Sequence, residues 1–508
     1  MKKYLLLGLI GLSVTAVKAQ DISDALRYSQ TNLNGTARFR AMSGAFGALG
    51  GDLSSLNVNP AGSAIFNNNQ VTFTISNYNT KNKSNYFGTT TSANDNSFDL
   101  NQIGGVFVFN NNNPESSWRK LTLAVNYENT NNFDNSLYSA GTNPTTSIGQ
   151  YFVNQANGVP LDYLVTRPGE TAGGLYSYLG AFGGNYQNAF LGYDSFILEP
   201  NSTNPQNTLY TSNVVPGGNY SQANYINSSG YNGKVSFNAA AQYQDWLSLG
   251  LNLNTHFSDY TSTTDFYENN NNAAVPGSTN VRNIRFRNEL YTYGNGFSFQ
   301  VGAIAKVTNA IRFGLAYESP TWMKLNDKLR QSLVAYRDGS GIPAIFDEGI
   351  TNVYPSYRVQ TPSKYTGSFA YIFGSNGLIS IDYALKSYSD TKLKPSDDPT
   401  FQEYNSIMKN ILDVTSEVRV GAEYRIQNFS LRGGYRFEQS PYKNGNTIGD
   451  LQGFSGGLGY NFGATKLDLA YSYAKRDYDQ QMFNTGLTDS SRIKSVNNNV
   501  SLGLTFDF

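Results

Sequence analysis

Cysteine is absent from the 508-residue chain, and histidine occurs once, as His256. No disulfide staple, lipid-modified cysteine or thiolate metal site is therefore available, and one imidazole supplies neither a His-rich metal centre nor a conventional catalytic triad. No enzyme activity, metal or cofactor is expected. An excess of charge of either sign is also missing, since 37 Lys and Arg balance 37 Asp and Glu. Nucleic acid is excluded as a partner, because phosphate-backbone binding needs a basic excess. Beyond the N-terminal segment no run approaches the ~18 consecutive apolar residues of a transmembrane helix, and the mean hydropathy is -0.42. Membrane-spanning helices are excluded on that ground.

The N-terminus reads Met1-Lys2-Lys3, an apolar run from Tyr4 to Val17, and Val17-Lys18-Ala19 before Gln20. Charged, apolar and small-residue parts in that order predict a secretory signal over residues 1–19, cleaved after Ala19 and too short to cross ~30 Å of hydrocarbon. The 37 Tyr, 31 Phe and 49 Gly suit the aromatic girdles and polar lumen of an outer-membrane barrel better than a soluble enzyme. At the other end, Val500-Ser501-Leu502-Gly503-Leu504-Thr505-Phe506-Asp507-Phe508 alternates strictly and stops on an aromatic residue. That ending resembles the signal by which the outer-membrane barrel assembly machinery picks up its clients, so Phe508 is expected to be an assembly signal and that machinery a partner.

Barrel strands alternate apolar and polar residues over about ten positions and are joined by short periplasmic turns and longer outer loops. Such stretches lie near 70–79, 100–110, 119–130, 233–244, 246–266, 285–306, 311–323, 358–373, 377–390, 414–427, 428–439, 451–463, 465–478 and 495–508. The expected fold is all-β: a transmembrane antiparallel barrel of about fourteen strands over 70–508, spanning the cell outer membrane many times and embedded in its lipid. Short connections such as Gln244-Asp245, Thr308-Asn309, Gln427-Asn428 and Gly463-Ala464 alternate with long ones, including 80–99, 131–232, 324–357 and 391–413. Parity gives the facing of each strand. In 414–427, Val418, Val420, Tyr424 and Ile426 share one face, while Glu417, Arg419, Glu423 and Arg425 share the other. Interleaved charges of both signs predict a packed, paired lumen, because unpaired buried charge is costly. His256 falls on the polar parity of 246–266 and reads as an ordinary lumen residue.

Residues 20–69 do not alternate. They hold a short helical stretch, Ile22 to Tyr28, then a run of small residues with Arg38, Arg40 and Asp52, ending in Asn59-Pro60-Ala61. A barrel of this size leaves a lumen that needs a plug, and 20–69 is expected to supply it as an N-terminal hatch. Here the chain resembles the FadL/TodX outer-membrane transporters of long-chain fatty acids and other hydrophobic compounds, whose hatch carries the same Asn-Pro-Ala motif. Its Asn- and Tyr-rich loops are similar to those of Bacteroidetes members. The resemblance implies passive uptake: a hydrophobic ligand lands among the outer loops, enters the barrel and leaves sideways through the wall. The segment 131–232 is unusually long for that family.

Two apolar stripes are candidates for the mouth. In 391–413, Asp398-Pro399 reads as a cap and first helical turn, followed by Phe401, Tyr404, Ile407, Met408, Ile411 and Leu412 at helical spacing. Leu325, Leu329 and Leu333 recur in the same way around Asn326-Asp327, so a second helix is expected there. A carboxylate head group needs a lumen cation with few competing acids; Arg38, Arg40, Arg419, Arg432 and Arg436 are the candidates. The alternative reading is a PorV-like scaffold that grips protein partners of type IX secretion through 131–232. An open general porin is disfavoured by the hatch.

Overall fold

The computed structural model describes residues 22–508; the secretory-signal reading of 1–19 lies outside them. Fourteen antiparallel strands close into one barrel. They are β1 (Gln70–Tyr86), β2 (Thr89–Asn110), β3 (Trp118–Asn132), β4 (Tyr220–Tyr243), β5 (Leu247–Asn270), β6 (Val281–Lys306) and β7 (Ile311–Glu318). The second half comprises β8 (Lys364–Phe373), β9 (Gly377–Ser387), β10 (Val414–Ile426), β11 (Phe429–Glu438), β12 (Ile448–Asn461), β13 (Thr465–Gln481) and β14 (Ser490–Asp507). Each pairs with its sequence neighbour, and β1 pairs with β14 from Gln70↔Asp507 to Asn85↔Arg492. Phe508 N–H donates to the Asn69 carbonyl (3.0 Å), and the Gln70 amide donates to the Asp507 carboxylate (2.6 Å). The ladder therefore has no free edge in lipid, as a spanning sheet requires.

The parity reading holds in the strands that carry it. Tyr424, Ile426, Phe429 and Leu431 on β10 and β11 are exposed on the outer face, as are Leu469 and Tyr471 on β13. On the inner face Arg432 donates to Glu423 (2.6 Å) and to Asp468 (2.6 Å). Every charge in that trio has an opposite partner, which is what low-dielectric burial demands.

The outer connections differ from the expectation. The stretch 80–99 is mostly strand, because β1 and β2 run on to a two-residue hairpin at Phe87-Gly88. There the outer face meets water while the inner face is buried but largely polar, Asn82 donating to Asn135 (2.6 Å) and Ser84 bonding Ser139 (2.7 Å), so the apolar alternation that marks strands disappears while the backbone ladder continues. Ahead of the barrel lie helices α1 (Ile22–Arg27) and α2 (Ala37–Ala41). The segment 131–232 also carries structure: a strand at Asn135–Asn143 on β4, then helices α3 (Gly149–Ala156), α4 (Ala172–Leu179) and α5 (Gly184–Asp194). These helices form an extracellular cap. Their Phe152, Tyr176, Leu179 and Phe190 are buried with Phe266, Phe286 and Leu333 from the rims of the strands.

The helix expected around Leu325, Leu329 and Leu333 is instead an extended strand, Trp322–Arg337, the upper arm of β7. A spacing of four satisfies the strand period of two as well as the helix period of 3.6, and β6 supplies a partner along the whole arm, from Trp322↔Phe297 upwards. Tyr357–Gln360 is the corresponding upper arm of β8 and pairs with it. The helix expected in 391–413, α6 (Pro399–Ile411), forms as the cap pattern predicts: Asp398 accepts from the N–H groups of Thr400 (3.0 Å) and Phe401 (3.1 Å).

Candidate functional site

The stretch Ile22–Phe66 descends through the lumen. Its first helix (Ile22–Arg27) lies under the outer loops, where Ala25, Leu26 and Tyr28 are buried against Phe133, Tyr260 and Phe401. Its last turn lies among residues near the short-turn end of the barrel. There Asn59 caps a 3-10 turn over Pro60–Ile65, accepting from Ala61 N–H (3.1 Å), with Pro60 fixing φ at the first turn position. The Asn59 amide donates to Gly47 O (2.7 Å) within the hatch and to Ala303 O (3.0 Å) on the wall. Asn238 on β4 donates to Pro60 O (2.9 Å).

The wall makes room for this motif. Gly250 and Gly302 are cross-strand partners on β5 and β6. A Cβ on Gly250 would lie 2.3 Å from the Pro60 carbonyl carbon, and one on Gly302 2.1 Å from the Asn59 side-chain oxygen. A second facing pair, Gly421 and Gly434, seats Met42 and Ser43 in the same way. Both pairs are needed for close backbone approach.

Four of the five candidate arginines are held by carboxylates. Arg38 pairs with Glu423 (2.9 Å), Arg419 with Glu417, Arg432 with Glu423 and Asp468, and Arg436 with Glu438 (3.3 Å). They tie hatch to wall and wall to wall. Arg40 differs: it is fully buried, and its donors reach Ser76 Oγ (2.8 Å) and Ser472 Oγ (3.2 Å), with no carboxylate paired to it among the described residues. Burial holds the Arg40 guanidinium below its ordinary value. Burial likewise raises the Asp52 carboxyl, opposed by Arg38 and by the hydroxyl of Thr36, which donates to it at 2.8 Å.

The sequence reading missed a different group of cations. A chamber lies between Tyr28–Thr31 of the hatch and the wall, and Lys234, Lys364, Lys386, Glu318 and His256 line it. Glu318 is 3.8 Å from Lys364, and Lys386 donates to Ser29 O. His256 Nε2 is within 2.8 Å of Ser298 Oγ. Of the charged residues that line it three are lysines and one, Glu318, is a carboxylate; Glu128 also acts on Lys234, and Glu417 and Glu438 on Lys386. The chamber shares Tyr28 and Met323 with an apolar cluster that also contains Leu325, Phe401 and Met408, all buried, against which Tyr404 and Ile411 are packed. Ile407 is half-buried on the same helix. Leu333 belongs to the cap cluster, and Leu329 is half-buried between the two. Parity alone places Lys234, Lys364 and Lys386 inside; only the fold shows that they converge.

The wall beside this chamber is weakened. The ladder between β7 and β8 stops at Glu318↔Lys364 and resumes at Trp322↔Gln360. Pro320 and Pro362 fall in the interruption and cannot donate. Thr321 N–H donates to the Thr361 hydroxyl (2.8 Å), and Thr361 N–H to Thr321 O (3.0 Å).

A closed antiparallel barrel, apolar outside, polar inside and filled by its own N-terminal segment, defines an outer-membrane transport barrel. A family model described as outer membrane protein transport protein (OMPP1/FadL/TodX) matches residues 198–508, and the chain belongs to that family, whose members are transport proteins and not enzymes. Among solved structures it is similar to a Pseudomonas aeruginosa FadL homologue, with TM-score 0.53 and 15% identity over 94% of this chain and 99% of that one. It is also similar to the P. putida toluene transporter TodX, with TM-score 0.50 and 13% identity over 94% of this chain and 99% of that one. At these identities the likeness is one of fold. No curated protein sequence matches the chain.

Proposed function

We propose that the protein carries hydrophobic molecules with an anionic end through the outer membrane, long-chain fatty acids being the class that fits. The observation that carries this reading is the junction of an apolar cluster (Leu325, Phe401, Met408) with a chamber of three lysines and one glutamate through Tyr28 and Met323. An amphiphile matches both halves: its chain gains by leaving water, and its carboxylate gains charge-assisted hydrogen bonds. A plain aromatic hydrocarbon, such as the substrate in TodX's name, would leave the lysines unused. The Pro320/Pro362 interruption beside the chamber is the place for sideways exit, and the hatch with Asn59, Pro60 and Ala61 is the part that must shift. The scaffold reading is not favoured, since the helices of 131–232 pack Phe152, Tyr176, Leu179 and Phe190 down onto the strand rims and the family to which the chain belongs is one of transport proteins.

Binding of palmitate and of hexadecanol to the detergent-extracted protein tests this reading. Lys364→Gln with Lys386→Gln is expected to weaken palmitate by about tenfold or more, the scale of a lost charged hydrogen bond, with hexadecanol nearly unaffected. Equal losses for both ligands, or none for either, would remove the head-group role of the chamber.

A further inference from the structure

Outward positions on the arms above β7 and β8 carry an uncompensated row of cations. On the upper arm of β7, Lys324 is exposed between the buried Met323 and Leu325. Its cross-strand partner on the upper arm of β8 is Arg358, exposed between the buried Tyr357 and Val359. Arg358 is in turn paired with Lys394 on a short flanking strand, Lys392–Lys394, whose Leu393 is buried. Three cations therefore stand side by side, about 5 Å apart from strand to strand. One step nearer the membrane the same three strands place Trp322, Gln360 and Lys392 in register. Among the described residues none of Lys324, Arg358, Lys392 and Lys394 forms an ion pair, whereas Arg330 higher on the same arm pairs with Asp347 (2.8 Å).

Like charges directly opposite one another destabilise a sheet, so such a row calls for a counter-anion. Elsewhere on the rim the chain supplies its own. Lys83 faces Lys494 across β1 and β14, but Lys494 also faces Asp477 on β13, and Arg492 one step higher bonds Asp479 (2.9 Å). At the β7/β8 row no acid takes that place. Directly below it lies the lipid-facing belt: Phe313 and Leu315 on β7, Tyr365 on β8, Tyr383 and Leu385 on β9, all exposed, with Trp322 at its upper border. A tryptophan there marks the level where hydrocarbon gives way to head groups.

We infer that the outer face of this seam binds a phosphate-bearing lipid of the outer leaflet, its acyl chains on the belt and its phosphates on Lys324, Arg358 and Lys394. Arginine contributes a bidentate fork and the lysines point charges. The site lies on the outside of the wall, separate from the cargo chamber, and across the Pro320/Pro362 interruption.

Native mass spectrometry of the detergent-purified full chain tests this. The probes are bisphosphorylated lipid A, the same lipid stripped of phosphate, and inorganic phosphate. Wild type is expected to retain the phosphorylated lipid preferentially and free phosphate not at all. Substituting K324Q, R358Q and K394Q together is expected to cut retention at least about tenfold, since each surface cation near an anionic lipid contributes roughly a fivefold effect. The K83Q/K494Q pair should retain it as wild type does. Lys324, Arg358, Lys83 and Lys494 are exposed and Lys394 is half-buried, and heat-dependent gel mobility shows that each variant is a closed barrel. Equal retention by the triple variant, equal retention of the stripped lipid, or equal loss in K83Q/K494Q would overturn the inference.

Discussion

Asn59 is the residue on which the hatch turns. Its side chain caps a turn, spans to Gly47 and reaches a wall carbonyl at Ala303, in a place where no water can substitute without entering the packed lumen. Truncating it strands buried acceptors at about 1–3 kcal/mol each, while fourteen strands stay closed without it. Asn59→Ala is therefore expected to leave barrel levels unchanged and to alter passage. Uptake of a hydrophobic substrate and sensitivity to a large hydrophilic antibiotic, both normalised to barrel level, read the outcome: lost uptake without leak for a gate, leak without lost uptake for a cork. No change in either would mean that the motif governs nothing. The motif was readable in the chain because Asn-Pro is a local signal. Its seat was not: Gly250 and Gly302 are 52 residues apart, and nothing in the linear order shows that they face each other beneath a proline.

At the scale of elements, the membrane-spanning parts of the strands were legible and their outer parts were not. Alternation in 414–426 exists because one face meets lipid and the other a charged lumen. In 80–99 it vanishes because the buried face of the hairpin carries polar side chains, Asn82 and Ser84 among them, and only the cross-strand ladder from Thr80↔Asp95 to Tyr86↔Thr89 marks it as strand. Leu325, Leu329 and Leu333 misled for a different reason, a spacing that both periods accept. Helix α6 was legible through its cap, and its stability follows from it. Asp398→Ala removes two N-terminal bonds, costing about 1 kcal/mol, and Met408→Ala opens a cavity in the fully buried side of the same helix, costing about 2–5 kcal/mol. Proteolysis of the folded protein within 396–412 should accelerate in both variants and more in Met408→Ala; equal protection would show that α6 is held by something other than its cap and its apolar face.

For the molecule as a whole, the ends of the sheet matter more than any interior strand. The Phe508 side chain is 65% exposed, so its loss should cost little stability once the barrel is formed. Phe508→Asp is expected to lower the amount of protein recovered in the outer membrane several-fold while ligand binding per molecule is unchanged. Equal membrane levels for variant and wild type in a fractionation assay would be evidence against an assembly role. The same global view explains why composition sufficed for the fold class. A spanning sheet with no helix to shield it must close on itself, and aromatics, glycine and balanced charge are what a closed, filled barrel contains.

The direction of the hatch has a further consequence. Its first helix is packed under the outer loops by Phe133 and Phe401, its last turn is bonded near the short-turn end at Ala303, and after four intervening residues the chain enters β1, the strand that meets β14. A segment laid along the whole axis, with Arg38 bonded to β10 and Arg40 to β1 and β13, has no route in once the cylinder is sealed. Folding must therefore be ordered in time: the sheet curls around a core already in place, and the join between the first and last strands comes after, with the plug as its template.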